Sequence, residues 1–320
     1  MFITEKWCDC RPELGITNSE HNLFGSLEAS GLMTQNRFHF DEFYYHHRRS
    51  GDATLLKLLI ISKPDLIILT WVCSGNPKHN PKLETLKIIH SKMGIPIVAI
   101  WTDSVRPFIM EMAESILPFV KFNVVWDSTT AYLKTTRHPK KYLPLWTPQD
   151  PRIFYNPNIE RDIDISFVGG IKNYSDRLAG IQALRANDFD VYQAGGQREN
   201  PLPVREYAGI FMRSKIGLNF CGSLDKIQTK GRIFEAALCG AMLMEANNPE
   251  TEKWFEPMVD LVPFLNESDL VEKAKYYLEN DNERLEIAAR GYEKAKNKYS
   301  GEMFWKTILS RAFNYGVADT

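Results

Sequence analysis

Short apolar runs alternate with amphipathic stretches along almost the whole chain. Runs rich in Ile, Val and Trp occupy residues 2–7, 65–71, 95–101, 123–126 and 141–145. They lack two-residue alternation, as strands of a parallel sheet covered on both faces should. Helical stretches lie between them, such as 81–92, with proline at its start and Gly94 just past its end. A proline-dense segment, 144–157, then resists regular structure. Beyond it the pattern restarts. Strands are expected at 163–168, 189–193, 215–220 and 241–245, with helices near 175–185, 203–213 and 232–239 between them. Two more helices follow. In one, Leu270, Val271, Ala274, Tyr277 and Leu278 share a face; in the next, Leu285, Ala288, Ala289, Tyr292 and Tyr299 do. A last helix is expected over 302–315, with Ser300 as its N-cap.

Strand–helix repetition on both sides of a proline-rich break predicts an α/β protein with two Rossmann-like, doubly wound parallel-sheet domains facing a cleft. The expected division is 1–146 joined by the last helix 301–316, a linker at 147–160, and a second domain at 161–300. Open parallel sheets bind ligands beyond the carboxyl ends of their strands, so functional residues are expected in loops that follow strands.

Composition narrows the picture. The 320 residues suffice for two cores, and 44% hydrophobic with 25% charged residues is ordinary for a globular protein. A formal charge of −1 gives no general attraction to nucleic acid or anionic membrane. The run His46-His-Arg-Arg49 could meet an anionic acceptor, though a solvated loop explains it as well. Five cysteines, an odd and sparse set, point to reduced thiols; Cys8-x-Cys10 lacks neighbouring ligands for a metal. The first residues are too charged for a secretory leader, and Lys57, Lys63, Pro64 and Asp65 break the most apolar stretch. A cytoplasmic protein is expected, with peripheral membrane contact left open.

The most informative stretch is Gln-Thr-Lys-Gly-Arg-Ile-Phe-Glu at 228–235. On a helical wheel of about 100° per residue, Ile227, Gly231, Phe234 and Leu238 fall on a core side. Gln228, Arg232, Glu235 and Cys239 fall together on an adjacent stripe. That order suits a nucleoside diphosphate: phosphates near the helix start, met by Arg232 and Lys230, and ribose hydroxyls one turn on at Glu235. Lys230 joins them only if the helix begins at or after it. The plainer alternative is an exposed helix with an Arg232–Glu235 ion pair.

Residues 230–241, Lys-Gly-Arg-Ile-Phe-Glu-Ala-Ala-Leu-Cys-Gly-Ala, resemble the donor-site helix of GT-B-fold glycosyltransferases, in particular the group related to the spore maturation protein CgeB. The resemblance extends through Met242-Leu-Met-Glu245, Glu252-Lys-Trp-Phe255 and the helices at 267–292. Upstream it takes in 143–154 and Asp164-Ile-Ser-Phe-Val-Gly-Gly170, for a coverage of about residues 142–310. It implies a sugar donor held by the second domain and an acceptor held by the first. Glu235 would bind ribose, Lys230 and Arg232 the diphosphate, and Gly169 and Gly170 would let the donor approach the first strand of that domain. Many retaining members carry a second glutamate eight positions before the ribose-binding one. Ile227 stands there, so stereochemistry cannot be carried over.

Strand-end position adds Arg177, Asn173, Tyr192 and Gln193 as candidate donor contacts. Asp162-Ile-Asp164 and Asp188-Phe-Asp190 mimic a metal-binding motif but precede strands, at the end away from ligand. No metal and no cofactor are therefore expected, and Lys230, Arg232 and helix dipoles would meet leaving-group charge. An inverting transfer needs a base; Asp103, after the strand at 95–101, and His21, near the start of an expected helix, are the candidates, against plainer readings as an N-cap on the next helix and as a surface or capping histidine. The expected activity is a metal-independent hexosyl- or pentosyltransferase that uses a nucleotide-sugar, a UDP-sugar first, and an acceptor that the sequence does not identify. The alternatives are a nucleotide-sugar epimerase and a non-catalytic nucleotide-sugar-binding protein.

Overall fold

The computed structural model describes residues 1–71, 77–171, 174–196, 202–221 and 227–313. The chain divides into two compact units, Met1–Leu145 with the segment from Phe304 onward, and Trp146–Met303.

In the first unit, β1 (Phe2–Thr4), β2 (Arg37–His39), β3 (Ile67–Thr70), β4 (Ile97–Trp101), β5 (Phe122–Val125) and β6 (Tyr142–Pro144) form one sheet in the order β2-β1-β3-β4-β5-β6. Every pairing is parallel. Around it lie α1 (Ser26–Ser30), α2 (Phe40–His47), α3 (Asp52–Ser62), α4 (Leu83–Ile88) and α5 (Pro107–Ile116). Ile3, Ile67, Leu69, Ile97, Ala99 and their helix partners make one buried cluster, which is why these strands show no alternation. The helix expected over 81–92 ends in a wide turn, Ile89–Met93, closed by Gly94 at φ +66°. Trp305 packs edge-on to Phe2, with ring centroids 5.8 Å apart, and donates its indole N–H to Ser26.

The second unit holds β7 (Ile163–Val168), β8 (Val191–Ala194), β9 (Ser214–Asn219), β10 (Met242–Ala246) and β11 (Val262–Phe264), ordered β11-β10-β9-β7-β8 and again all parallel. Its helices are α6 (Ser175–Ala186), α7 (Val204–Arg213), α8 (Arg232–Leu238), α9 (Glu267–Glu279) and α10 (Asp281–Lys298). The last helix among the described residues is α11 (Gly301–Phe313), and the Ser300 hydroxyl caps it by accepting from the Met303 N–H. The segment 147–160 has no regular structure but is not a loose tether. Thr147, Gln149, Asp150 and Phe154 are buried, and Trp146 packs against Trp254 and Tyr299.

One helix face differs from expectation. In α10 the buried residues are Arg284, Ile287, Ala288, Gly291 and Ala295, while Leu285 is 53% exposed. Two contacts set this rotation. Gly291 meets the Asp260 carbonyl, where an added Cβ would sit 2.6 Å away, and Arg284 turns inward to the Tyr277 carbonyl at 2.8 Å.

Candidate functional site

In the second unit, β7 lies between β8 and β9, so the chain reverses its winding between β7 and β9. Ligands of open α/β sheets bind beyond the carboxyl ends at such a reversal. Arg232 occupies that place. As the first residue of α8, it reaches back over both strands. Its Nε donates to the Val168 carbonyl ending β7, and a terminal nitrogen donates to Asn219 Oδ1 ending β9, both at 2.7 Å. The guanidinium lies 4.8 Å from the Phe167 ring centroid. A cation fixed by two hydrogen bonds and an aromatic face is pre-organised and keeps donors in reserve.

The glycine loops follow from this placement. Gly169 has φ +153°, and a Cβ there would fall 2.5 Å from an Arg232 guanidinium nitrogen. Gly196, at φ +85°, lies so close to the other loop that a Cβ would fall 2.2 Å from the Gly170 Cα. The glycines therefore admit protein first, the guanidinium and a neighbouring main chain. Gln193 ties the pair together by donating to the Gly169 carbonyl at 3.3 Å.

Arg177 enters from α6. It is buried, donates to the Gly170 carbonyl at 2.8 Å and stacks 3.6 Å from the Tyr174 ring centroid. Burial first, then the positive charge of Arg232, pulls its pKa below the ordinary arginine range. Two guanidinium groups thus flank Phe167 beside the Gly169–Gly170 loop, an arrangement that an anion relieves.

Glu235 lies one turn into α8. It accepts from the Tyr207 hydroxyl on α7 and, at 3.4 Å, from the Gln149 amide. Burial raises its pKa, opposed by the Tyr207 hydrogen bond, the Arg232 charge and Gln149.

Gln228 is not on the helical stripe. The helix begins only at Arg232, because Lys230 and Gly231 supply the first carbonyl acceptors. Gln228 is held in the preceding segment: its main-chain carbonyl accepts from Asn248 at 3.0 Å and its side-chain oxygen from the Lys230 ammonium at 2.7 Å. Lys230 therefore precedes the helix, the condition its phosphate role required. Tyr192 is not brought to this group; it is 45% exposed on the edge strand β8. Its neighbour Gln193, pointing to the other face, is the one that meets the loop. Asn173 lies outside the described residues.

The Asp-x-Asp pairs stand apart from the group. Asp162 pairs with Arg213, and Asp164 with Lys215 at 2.6 Å, at the amino end of β7. Asp188 lies in a turn at φ +65° and, like Asp190, is exposed. In the first unit, Asp103 has φ +53° and a side chain 49% exposed, with Arg106 Nε at 3.9 Å. It is not the helix cap, since Arg106 precedes α5. His21 sits half-buried in the wide turn Glu20–Gly25.

Sequence reasoning missed the support behind Arg232. Asn219 donates to Glu245 Oε1 at 2.9 Å, and Thr251 donates to the same oxygen at 3.0 Å. Glu245 is 1% exposed at the end of β10, and its Oε2 has no hydrogen-bond partner among the described residues. A lone carboxylate inside the apolar run 241–246 was the available signal. Burial pushes its pKa from the ordinary 4.5 to about 7, against Thr251, Asn219, Asn248 and the Arg232 charge. A folded-state pKa above the unfolded one means that the folded protein keeps a proton the unfolded chain has released. The associated stability is complete below pH 4.5 and is lost as pH rises to about 7. Chemical denaturation across that window should show Glu245→Gln lacking a decline of about 3 kcal/mol that the wild type shows. Parallel pH profiles for the two proteins would overturn this.

Residues 167–310 match the family described as glycosyl transferase-like. No curated protein matches the chain in sequence. Solved structures share its fold. The Anabaena protein HepE in complex with UDP-glucose is 11% identical, with a TM-score of 0.62, covering 97% of this chain and 99% of that one. MnaA of S. aureus, solved with UDP, is 10% identical, with a TM-score of 0.56 and coverage of 100% and 99%. Sucrose-phosphate synthase of Thermosynechococcus elongatus is 10% identical, with a TM-score of 0.59 over 83% of this chain and 78% of that one. No helix among the described residues is long and apolar enough to cross a membrane. The chain is thus a two-sheet α/β protein that shares the GT-B architecture of these structures, and its residues 167–310 are similar to the glycosyl transferase-like family.

Proposed function

We propose that the protein transfers a sugar from a UDP-sugar to a hydroxyl acceptor, without a metal, with the donor in the second unit and the acceptor at the first. The observation that carries the reading is the pair of guanidinium groups, Arg232 and Arg177, converging on Gly169–Gly170 beyond β7. In this reading Arg232 and Lys230 bind the diphosphate and stabilise its charge as the sugar leaves. Arg177 and Gln193 shape the loop, Gln228 orients Lys230, and Glu235 accepts from the ribose hydroxyls. HepE with UDP-glucose and MnaA with UDP support uridine as the base. Placement beside the CgeB-related group rests on the motif at 230–241.

Calorimetry with UDP, GDP, ADP and CDP tests the site. Turnover of a nucleotide-sugar panel then tests the reaction. Transfer or slow hydrolysis supports it, interconversion of sugars without acceptor would mark an epimerase, and saturable binding without turnover a binding protein. Glu235→Ala should weaken UDP binding by about 1.5–3 kcal/mol, the range for a hydrogen bond to a charged group. It should also lower stability, because the buried Tyr207 hydroxyl loses its acceptor. Glu235→Gln keeps an acceptor for Tyr207, so it separates the two effects. UDP affinity unchanged in both variants would remove Glu235 from the site.

A further inference from the structure

The two sheets are wound alike, and the first has a reversal of its own. There β1 lies between β2 and β3, so the winding changes direction between β1 and β3. Thr4 and Thr70 end those two strands, their hydroxyls joined at 2.5 Å. Glu5 and Trp71 follow them directly. A carboxylate and an indole therefore stand where an open α/β sheet binds its ligand.

Glu5 is half-buried. One oxygen accepts from the Thr17 hydroxyl and the other from the Cys10 N–H, both at 3.2 Å. Burial pushes its pKa from 4.5 to about 7 against those two bonds, and the negative charges of Asp41 and Asp9 add to the rise. The surrounding charges are otherwise committed. Asp41, on α2, accepts from the N–H groups of Lys6, Trp7 and Glu42. Lys6 pairs with Glu42 at 2.5 Å, and Asp9 lies 3.6 Å from Arg11. His39, at the end of β2, interacts with the Glu5 main-chain carbonyl, and burial lowers its pKa. No cation is hydrogen-bonded to the Glu5 carboxylate among the described residues. Trp71 is half-buried, its ring 6.4 Å from that of Trp101 and tilted 48° to it. An indole face offers a flat, uncharged surface with a polar edge, suited to the C–H face of a sugar ring.

We infer that Glu5 is the general base of transfer, taking the proton from a hydroxyl of a sugar acceptor that rests on Trp71, and that the reaction inverts the anomeric centre. This rests on the donor-site reading above. The acceptor oxygen bonds to the anomeric carbon as the bond from that carbon to the diphosphate oxygen breaks. The proton passes to Glu5, and the electron pair leaves with the nucleoside diphosphate. A carboxylate titrating near neutral pH is matched to this task, and Asp103, half-exposed beside Arg106, is not enclosed in the same way.

The test offers UDP-glucose, UDP-galactose and UDP-N-acetylglucosamine in turn, with p-nitrophenyl β-glucoside as acceptor and released UDP as the readout. Glu5→Gln should lower kcat about 100-fold or more with UDP affinity unchanged, and should abolish a pH limb near 7 that the wild type shows. Thr17→Val, which removes a hydrogen bond that lowers the Glu5 pKa, should move that limb upward, and it decides the matter if Glu5→Gln does not fold. The new linkage should be β from these α-linked donors. A wild-type rate or an unaltered limb in the variants, a retained configuration, or UDP binding without release from any donor overturns the inference and leaves the donor site standing. Failure of every nucleotide to bind removes both.

Discussion

Arg232→Ala should abolish measurable UDP binding, with a loss of about 4 kcal/mol, close to a thousandfold. The reason lies in what holds the side chain. Val168 and Asn219 anchor it from two strands, and the Phe167 ring backs it. An anion then meets a cation whose ordering was completed on folding, so little of the gross interaction is spent on immobilising a flexible chain. Removal leaves the Val168 carbonyl and the Asn219 amide oxygen without this donor, which adds a stability cost of about 1–3 kcal/mol. Arg232→Lys retains the charge but cannot span both strands, so it should recover only part of the affinity. Calorimetry on the two variants, with thermal unfolding as a control, checks the order wild type, lysine, alanine. A lysine variant that binds as well as wild type would show that charge alone matters and that the bridge across β7 and β9 does not.

That bridge also shows what the sequence could and could not convey. The longer strands of both sheets were legible because two-sided burial leaves continuous apolar runs, and the expected span 163–168 coincides with β7. The strands β2 and β11 were not. In β2 Arg37 and His39 flank a single apolar residue, and β11 has Pro263 at its centre, so neither reads as the apolar run that marked the equally short β1 and β6. The residues proposed to hold the donor were legible where they are local. Arg232 and Glu235 sit three residues apart on α8, and a wheel places them together. Gln228 was misplaced by the same wheel, which assumes a helix that the chain delays until Arg232. The partners that set geometry and charge come from separate segments: Gln149 from an irregular stretch, Tyr207 from α7, Asn219 from β9 and Glu245 from β10. No spacing rule links them, so only the fold reveals that Arg232, Asn219 and Glu245 form one chain of contacts. The glycines were legible as glycines but not for their reason. Close approach was expected of a ligand, whereas the main chain and Arg232 already fill the space.

This difference sets the second large effect. Gly196→Ala should damage the site although Gly196 offers no side chain to any ligand. Its Cβ would lie 2.2 Å from the Gly170 Cα and 2.5 Å from the Gly170 nitrogen, both main-chain atoms that no rotamer change can move aside. Its φ of +85° is also a conformation that an L-residue rarely adopts. The loops after β7 and β8 must then part. Parting them strains the Gly169 N–H bond to the Ala194 carbonyl, at 2.8 Å, and the Gln193 bond to Gly169. Gly169 touches Arg232 and Gly170 binds Arg177, so both guanidinium groups lose their setting together. A stability loss of about 3 kcal/mol is expected from overpacking and backbone strain, with UDP affinity falling 100-fold or more. By contrast, a Cβ at Gly209 meets nothing within 4 Å, so Gly209→Ala on α7 controls for glycine replacement as such and should be neutral or slightly stabilising. If Gly196→Ala binds UDP as the wild type does, the two loops do not jointly position the arginines, and the donor site must be built from α8 alone.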